Sequence, residues 1–311
     1  MQLPFKHLLE TNQFNPEVLR FLFEESRNME GIFEKGGNQI MKGKILATLF
    51  WEPSTRTRFS FETAMLKLGG QVISNFSMGQ SSSITKGETL EDTARTISCF
   101  VDIIAMRHHQ QGAVAEFTKG SSAPVINAGD GAGDHPTQGL LDIYTIWKWR
   151  KFENFEKAFG NLTIGMIGDL KNSRVVHAQL QLLKFFKPKF ILVSPNALRM
   201  PEVYLNMLKD YDCEYEETED LESVISDFDV LSDTRIQQER FENREEFEKY
   251  RTFYQIGNKI MKKAKKDMIV IAPLPRFGEL LPEFDSDPRA KYFEQVKNGV
   301  ALRMGLIKGM C

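Results

Sequence analysis

Cysteine is scarce: Cys99, Cys213 and Cys311 are the only three in 311 residues, far apart, with no CxxC and no Cys/His pair at metal spacing. A disulfide framework and a zinc site are therefore both unexpected, and three reduced thiols fit the cytosol. Net charge is equally sparse. The 40 Lys and Arg nearly cancel the 42 Asp and Glu, so no whole-chain field suggests a nucleic-acid or anionic-membrane partner. Nowhere do about 18 apolar residues run together, and the opening MQLPFKHLLE lacks a charged segment followed by a long apolar one. The expectation is a soluble, unprocessed, cytoplasmic chain. No internal repeat or low-complexity tract is present. Two nucleotide signatures are missing as well. GxxxxGK[ST] does not occur, which removes a nucleotide P-loop, and GxGxxG does not occur, so GMIGDL after a strand fails as a nicotinamide dehydrogenase motif.

What is present is alternation. A chain of this length with 41% apolar residues can bury two ordinary cores. Short β-rich runs alternate with longer helical ones, the pattern of parallel sheets covered by helices. The first strand candidates start at Lys44, Gly69, Phe100 and Ala123. A second set starts at Asn161, Phe186, Asp227 and Asp267, with CEYEE near Cys213 as a weak fifth. Between the sets, Leu140, Leu141, Tyr144 and Trp147 recur at helical spacing and predict a joining helix. The expected fold is α/β, two domains each with a central parallel sheet flanked by helices.

Chemistry concentrates at strand ends. FWEPSTRTRFSFE, residues 50–62, follows an apolar run and precedes a helical one, the usual position for ligands in an open parallel sheet. A helix N-terminus there offers unpaired N–H groups and partial positive charge. Ser54, Thr55 and Thr57 add hydroxyls, and Arg56 adds a planar fork suited to phosphate oxygens. The bland alternative makes Ser54 an ordinary N-cap and the arginines a solvated face. Without a P-loop, a small phosphate ester or anhydride suits the cradle better than a nucleotide.

Further polar residues end other strands. Arg107 closes IIAMR, and NAGDGAGDHPTQ sets His135 and Gln138 around a Gly-rich turn with Asn127 and Asp130. His7, His108, His109 and His177 read as structural. In the second half Arg174 opens a helix, Arg235 and Gln237 end DVLSDTR, and PLPR ends the last strand. An anionic phosphate donor and a dicarboxylate acceptor would together satisfy these cations. No convincing covalent nucleophile or metal cluster is present, and neither a metal nor another cofactor is expected.

Seven motifs in this order and spacing, FWEPSTRTRFSFETAM, KGETLEDT, MRHHQ, NAGDGAGDHPTQGLLD, GDLKNSRVVH, TRIQQERF and PLPR, closely resemble the catalytic chains of the aspartate carbamoyltransferase family. The resemblance runs nearly end to end. Sister ornithine enzymes share STRTR and the HPTQ-type turn but carry HCLP in the last strand region, where this chain has APLPR.

The resemblance implies a carbamoyl-phosphate-binding domain at 1–137 with a C-terminal helix at 288–311 packed back on it. An interdomain helix follows at 138–150 and an aspartate-binding domain at 151–287. It implies that Ser54, Thr55, Arg56 and Thr57 hold the phosphate of carbamoyl phosphate. Thr57, Arg107 and His135 would polarise its carbonyl oxygen, while Gln138 and the backbone of Pro273 and Leu274 position its amide. Ser82 and Lys86 match residues donated by a neighbouring subunit, so the implied assembly is a homotrimer with shared active sites, and a regulatory chain is an admissible further partner. Arg174, Arg235 and Gln237 match the positions that bind L-aspartate. The implied reaction yields N-carbamoyl-L-aspartate and phosphate, a step of de novo pyrimidine biosynthesis.

Three positions depart from the family pattern. Ala272 replaces the His of HPLPR, Ser232-Asp233 replaces an aromatic-Met pair, and His109 replaces the Pro of RHP. None removes a residue named above. The intact charged set also argues against a weakened paralogue that binds without turnover. Asp233 has two readings. If DVLSDTR stays extended, its carboxylate shares a face with Arg235 and competes with substrate. If the chain turns earlier, Asp233 caps a neighbouring helix.

Overall fold

The computed structural model describes residues 2–81, 87–236 and 244–311. In the first half, α1 (Pro16–Glu34) precedes β1 (Ile45–Phe50), α2 (Thr55–Lys67), β2 (Gln71–Asn75), α3 (Met78–Ser81), α4 (Leu90–Ser98), β3 (Ile103–His108), α5 (Ala113–Thr118), β4 (Val125–Asp130) and α6 (Pro136–Trp149). In the second half come β5 (Thr163–Gly168), α7 (Arg174–Leu183), β6 (Lys189–Val193), α8 (Glu202–Asp210), β7 (Tyr215–Thr218), α9 (Leu221–Val224), β8 (Val230–Thr234), α10 (Arg244–Tyr250), α11 (Asn258–Met261), β9 (Ile269–Ile271) and α12 (Tyr292–Met310). Two compact units result. Unit 1 comprises Met1–Tyr144 with Val296–Cys311, and unit 2 comprises Thr145–Gln295.

Unit 1 is built on a parallel sheet in the order β2-β1-β3-β4. Its strands ILATLF, IIAMRH and VINAGD are buried along nearly their whole length, as expected of a parallel sheet covered on both faces. Ala47, Leu49, Ile104, Met106, Val114, Phe117 and Val125 form one packed cluster. Local signals set the helix starts. Asn15 caps α1 by accepting from Val18 N at 2.9 Å, with Pro16 at the first helical position, and Thr89 caps α4 through Asp92 N at 3.1 Å. The C-terminal residues belong to this unit: Leu3 N donates to Gly309 O at 2.8 Å, and Lys308 pairs with Glu25.

Unit 2 carries a five-stranded parallel sheet, β7-β6-β5-β8-β9. Ile167, Ile191, Val193, Phe228, Leu231, Val270 and Phe284 anchor its core. The weak CEYEE segment forms the edge strand β7, half exposed and charged, which suits an edge. Both sheets are thus parallel and helix-covered, as the alternation predicts.

Each sheet contains one reversal of strand order. In unit 1 the chain goes from β1 to β2 on one side and returns to β3 on the other. In unit 2 it leaves β5 for β6 and β7, then returns to β8 beside β5. Crevices at such reversals, beyond the carboxyl ends of the strands, are where open α/β sheets bind ligands. STRTR and Arg107 follow or end the two strands flanking the first reversal. Arg174 and Arg235 follow those flanking the second.

Candidate active site

In unit 1 the cradle begins where β1 ends. Ser54 occupies the N-cap position of α2, yet its hydroxyl makes no capping hydrogen bond, unlike Asn15 and Thr89. The first turn of α2 holds Arg56 and Arg58 and no acidic residue. Cations at a helix N-terminus oppose the helix dipole, so this arrangement gains from a bound anion. Thr55 and Arg56 are exposed, Ser54 is half-buried and Thr57 is buried. The two arginines differ. Arg58 Nε lies 3.5 Å from Glu62, and its guanidinium covers the Phe59 and Phe76 rings at 5.0 and 4.6 Å.

Arg107 sits next door because β3 pairs with β1 in a register that sets Phe50 beside Arg107. Its Nη2 lies 2.6 Å from Glu52, a residue of the same FWEPSTRTR stretch, and its Nη1 donates to Ala128 O at 3.4 Å. Gly129 makes the space. It adopts φ +131°, and a Cβ there would stand 3.0 Å from Arg107 Nη1.

His135, 5% exposed, precedes α6 and is fixed from both sides. Its backbone N–H donates to Asp134 Oδ1 at 2.7 Å, and its carbonyl accepts from Gln138 N at 2.9 Å. Asp134 Oδ2 accepts from the Thr11 N–H and hydroxyl. Burial raises the Asp134 carboxyl above its usual range, against the pull of these hydrogen bonds. Asn127 also ties the turn down, donating to Leu9 O at 2.7 Å and accepting from Gly129 N at 2.8 Å. Asp130 accepts from Gly112 N at 2.8 Å and so supports the start of α5. Gln138 is half-buried on the first turn of α6.

In unit 2, Arg174 is the first residue of α7 and Arg235 is the residue after β8, both half-buried. Thr234 Oγ1 donates to Ser173 Oγ at 2.9 Å, which ties the end of β8 to the N-cap of α7. Gly168, paired with Thr234 and at φ +107°, allows the approach: a Cβ there would fall 2.0 Å from Thr234 O. Pro273 and Leu274 follow β9 and are half-buried, with a cis bond between Leu274 and Pro275. Ser82, Lys86 and Gln237 lie outside the described residues.

Asp233 lies in a strand that stays extended to Thr234, as the first sequence reading requires. It is 2% exposed and capped to no helix, and its Oδ2 has no hydrogen-bond partner among the described residues. Burial, and secondarily the field of Glu279, drives its carboxyl well above the ordinary range. Leu231 and Asp233 share one face of β8. Ser232 points to the other, donating to Gln179 at 2.8 Å. Ala272 is buried in the same core cluster as Leu231.

The remaining histidines have structural partners. His177 stacks on Tyr204 with ring centroids 4.0 Å apart, and burial pushes it down to about 4. His108 accepts from Gln110 N at 3.0 Å and stacks on His109, and His7 accepts from Val125 N at 3.2 Å. Among the described residues no three His, Cys, Asp or Glu side chains form a metal-holding group, and no helix is long and apolar enough to cross a membrane. Sequence reasoning missed Glu52, Asp134 and Thr11. Glu52 and Asp134 both lay inside quoted motifs, and Glu52 would have been flagged once β1 and β3 were placed side by side.

Two sheets of this kind in one chain, each with basic side chains at its reversal, are the architecture of a two-substrate carbamoyltransferase. Residues 6–148 match the carbamoyl-P binding domain of aspartate/ornithine carbamoyltransferases, and residues 160–310 match their Asp/Orn binding domain. The chain belongs to this family. It is 44% identical over 304 residues to the aspartate carbamoyltransferase catalytic subunit of Methanopyrus kandleri, covering 97% of this chain and 96% of the relative. The catalytic subunit of M. jannaschii aspartate transcarbamoylase superposes with a TM-score of 0.90 at 41% identity over 98% of each chain. The Trypanosoma cruzi aspartate transcarbamoylase, solved with carbamoyl phosphate and aspartate, gives 0.89 at 38% identity over 99% of this chain and 97% of that one.

Proposed function

We propose that this chain transfers the carbamoyl group of carbamoyl phosphate to the α-amine of L-aspartate, giving N-carbamoyl-L-aspartate and phosphate for pyrimidine biosynthesis. The observation that carries the reading is the meeting, at the β1/β3 reversal, of an Arg-bearing helix N-terminus with Arg107, a residue of the neighbouring strand. In this assignment Ser54, Thr55, Arg56 and Thr57 hold the phosphate. Thr57, Arg107 and His135 donate to the carbonyl oxygen, and Gln138 with the Pro273 and Leu274 backbone positions the amide. Arg174, Arg235 and Gln237 take the aspartate carboxylates.

The uncharged amine attacks the carbamoyl carbon, a tetrahedral intermediate forms, and the C–O bond to phosphate breaks. The donor is a mixed anhydride, already activated, so the protein's task is to hold two anions in attack geometry and stabilise charge on the carbonyl oxygen and leaving phosphate. The leaving phosphate is the candidate acceptor of the amine's proton. Glu52, held against Arg107, is the group a bound substrate must compete with or use for alignment.

The active species in this reading is a cytoplasmic homotrimer in which Ser82 and Lys86 complete a neighbour's site. Support comes from the surface of unit 1. Ile73 on the edge strand β2, Phe76 just beyond it, and Phe59 and Leu66 on α2 are all more than half exposed. An exposed edge strand and four exposed large apolar side chains on the same unit make a surface that a folded partner covers. The three cysteines are unpaired, and burial raises the Cys213 thiol, in keeping with reduced thiols.

The test is a carbamoyl-transfer assay on the purified chain with radiolabelled carbamoyl phosphate. Labelled N-carbamoyl-L-aspartate should form, with little product from ornithine. Transfer to ornithine in preference to aspartate would refute the assignment.

A further inference from the structure

The orientation of Gln138 is set from behind. Its Nε2 donates to Asp142 Oδ1 at 2.8 Å, one turn further along α6, and Asp142 is fully buried. An ionised carboxylate only accepts hydrogen bonds, so the amide end facing it is the NH2, and Gln138 Oε1 is turned away from Asp142. A cation on the C-terminal helix favours that ionised state. Arg303, 3% exposed, lies in the field of Asp142. Burial pushes its guanidinium down to about 9 while Asp142 pulls it up, so it stays charged at neutral pH. Nη2 donates to Thr137 Oγ1 and Nη1 to Gly299 O, each at 3.2 Å, and the guanidinium lies 4.9 Å from the centre of the Phe61 ring on α2. Arg303 therefore joins α12, the first turn of α6 and the cradle helix within unit 1.

Building on the function proposed above, we infer that Asp142, by accepting from Gln138 Nε2, makes Gln138 an acceptor toward its ligand and so selects an acyl phosphate whose acyl group ends in N–H. Carbamoyl phosphate and acetyl phosphate share the phosphate and the carbonyl and differ only in NH2 against CH3. A site that accepts from an N–H rejects the analogue lacking it, because its acceptor is left unpaired. Asp142 and Arg303 touch no substrate; they are positioning residues for specificity.

The experiment compares kcat/KM for carbamoyl phosphate and acetyl phosphate with aspartate as acceptor. In both reactions the N–C bond forms, the C–O bond to phosphate breaks with its electron pair leaving on phosphate, and the amine's proton passes to phosphate or solvent. In Asp142→Asn the introduced amide presents either end, so Gln138 can flip, and the carbamoyl-to-acetyl ratio should fall on the order of tenfold or more. A merely structural role would lower both rates and leave the ratio unchanged. In Gln138→Glu/Asp142→Asn the amide at 142 donates to the new carboxylate, whose other oxygen again faces outward as an acceptor, so the ratio should recover. An unchanged ratio in Asp142→Asn, or no recovery in the double variant, overturns the inference. If Asp142→Asn alone does not fold, the double variant decides by the same ratio. Wild-type protein that transfers carbamoyl to no amine would count against the proposed function instead.

Discussion

The Thr234 hydroxyl donates a 2.9 Å hydrogen bond to the Ser173 hydroxyl, with both residues nearly fully buried. Each is followed directly by an arginine assigned to aspartate, Arg235 and Arg174. Thr234→Val removes the donor at constant shape. It should cost about 1 kcal/mol of stability and raise the KM for aspartate roughly several-fold, while the KM for carbamoyl phosphate stays put. Steady-state kinetics beside a melting curve separates the cases: stability lost without any change in aspartate KM would make the bond purely structural.

Asp233 should make unit 2 sensitive to alkali. Its carboxyl is raised by burial and then by Glu279, so the folded state binds a proton that the unfolded state releases near pH 4. The associated stability is fully present below the unfolded value and is lost as pH rises toward the folded one. Urea midpoints of the wild type should fall with pH across that window, and the slope should flatten in Asp233→Asn. Asp233→Met removes the buried polar group altogether and should stabilise the protein at pH 8 by about 1–3 kcal/mol. Its aspartate KM should be unchanged. A lowered aspartate KM would restore the reading in which Asp233 opposes substrate.

The strands were legible because each is a short β-rich run that ends in Gly, Pro or charge, and because strands such as ILATLF are buried on both faces. Strand-end chemistry was legible for the same reason: STRTR, Arg107, Arg174 and Arg235 each end such a run or lie in the segment that follows one. The fate of Asp233 was not. A carboxyl at the end of VLSDTR reads as a neighbour of Arg235 or a helix cap, and only the non-local packing of the core, with Glu279 46 positions later, shows it entombed. Gln138 and Asp142 are visibly four apart on one helix face, but Arg303 reaches the neighbouring Thr137 from the far end of the chain, which periodicity does not reveal.

The two arginines of STRTR should separate function from stability. Arg56 is exposed, and Arg56→Ala should lower kcat/KM roughly 100- to 1,000-fold with a stability change of no more than about 0.5 kcal/mol. Arg58 is packed over Phe59 and Phe76, and Arg58→Ala should cost about 0.5–1 kcal/mol. Melting curves and kinetics on the pair check this. Equal loss of stability in both variants would make STRTR a structural segment.

Shared active sites predict complementation. Lys86→Ala and Arg56→Ala trimers should each be nearly inactive, and mixing them under conditions that exchange subunits should restore activity, since some sites then combine two unmutated contributions. No recovery after exchange has been confirmed by mass spectrometry would refute site sharing.

The central claim is a division of labour: unit 1 side chains hold the phosphate of carbamoyl phosphate, and unit 2 arginines hold aspartate. Calorimetric titration with carbamoyl phosphate alone tests it most directly. The wild type and Arg235→Ala should bind it with equal affinity, while Arg56→Ala should bind about 100-fold more weakly or worse. Equal weakening in Arg235→Ala, or undiminished binding in Arg56→Ala, would contradict the account.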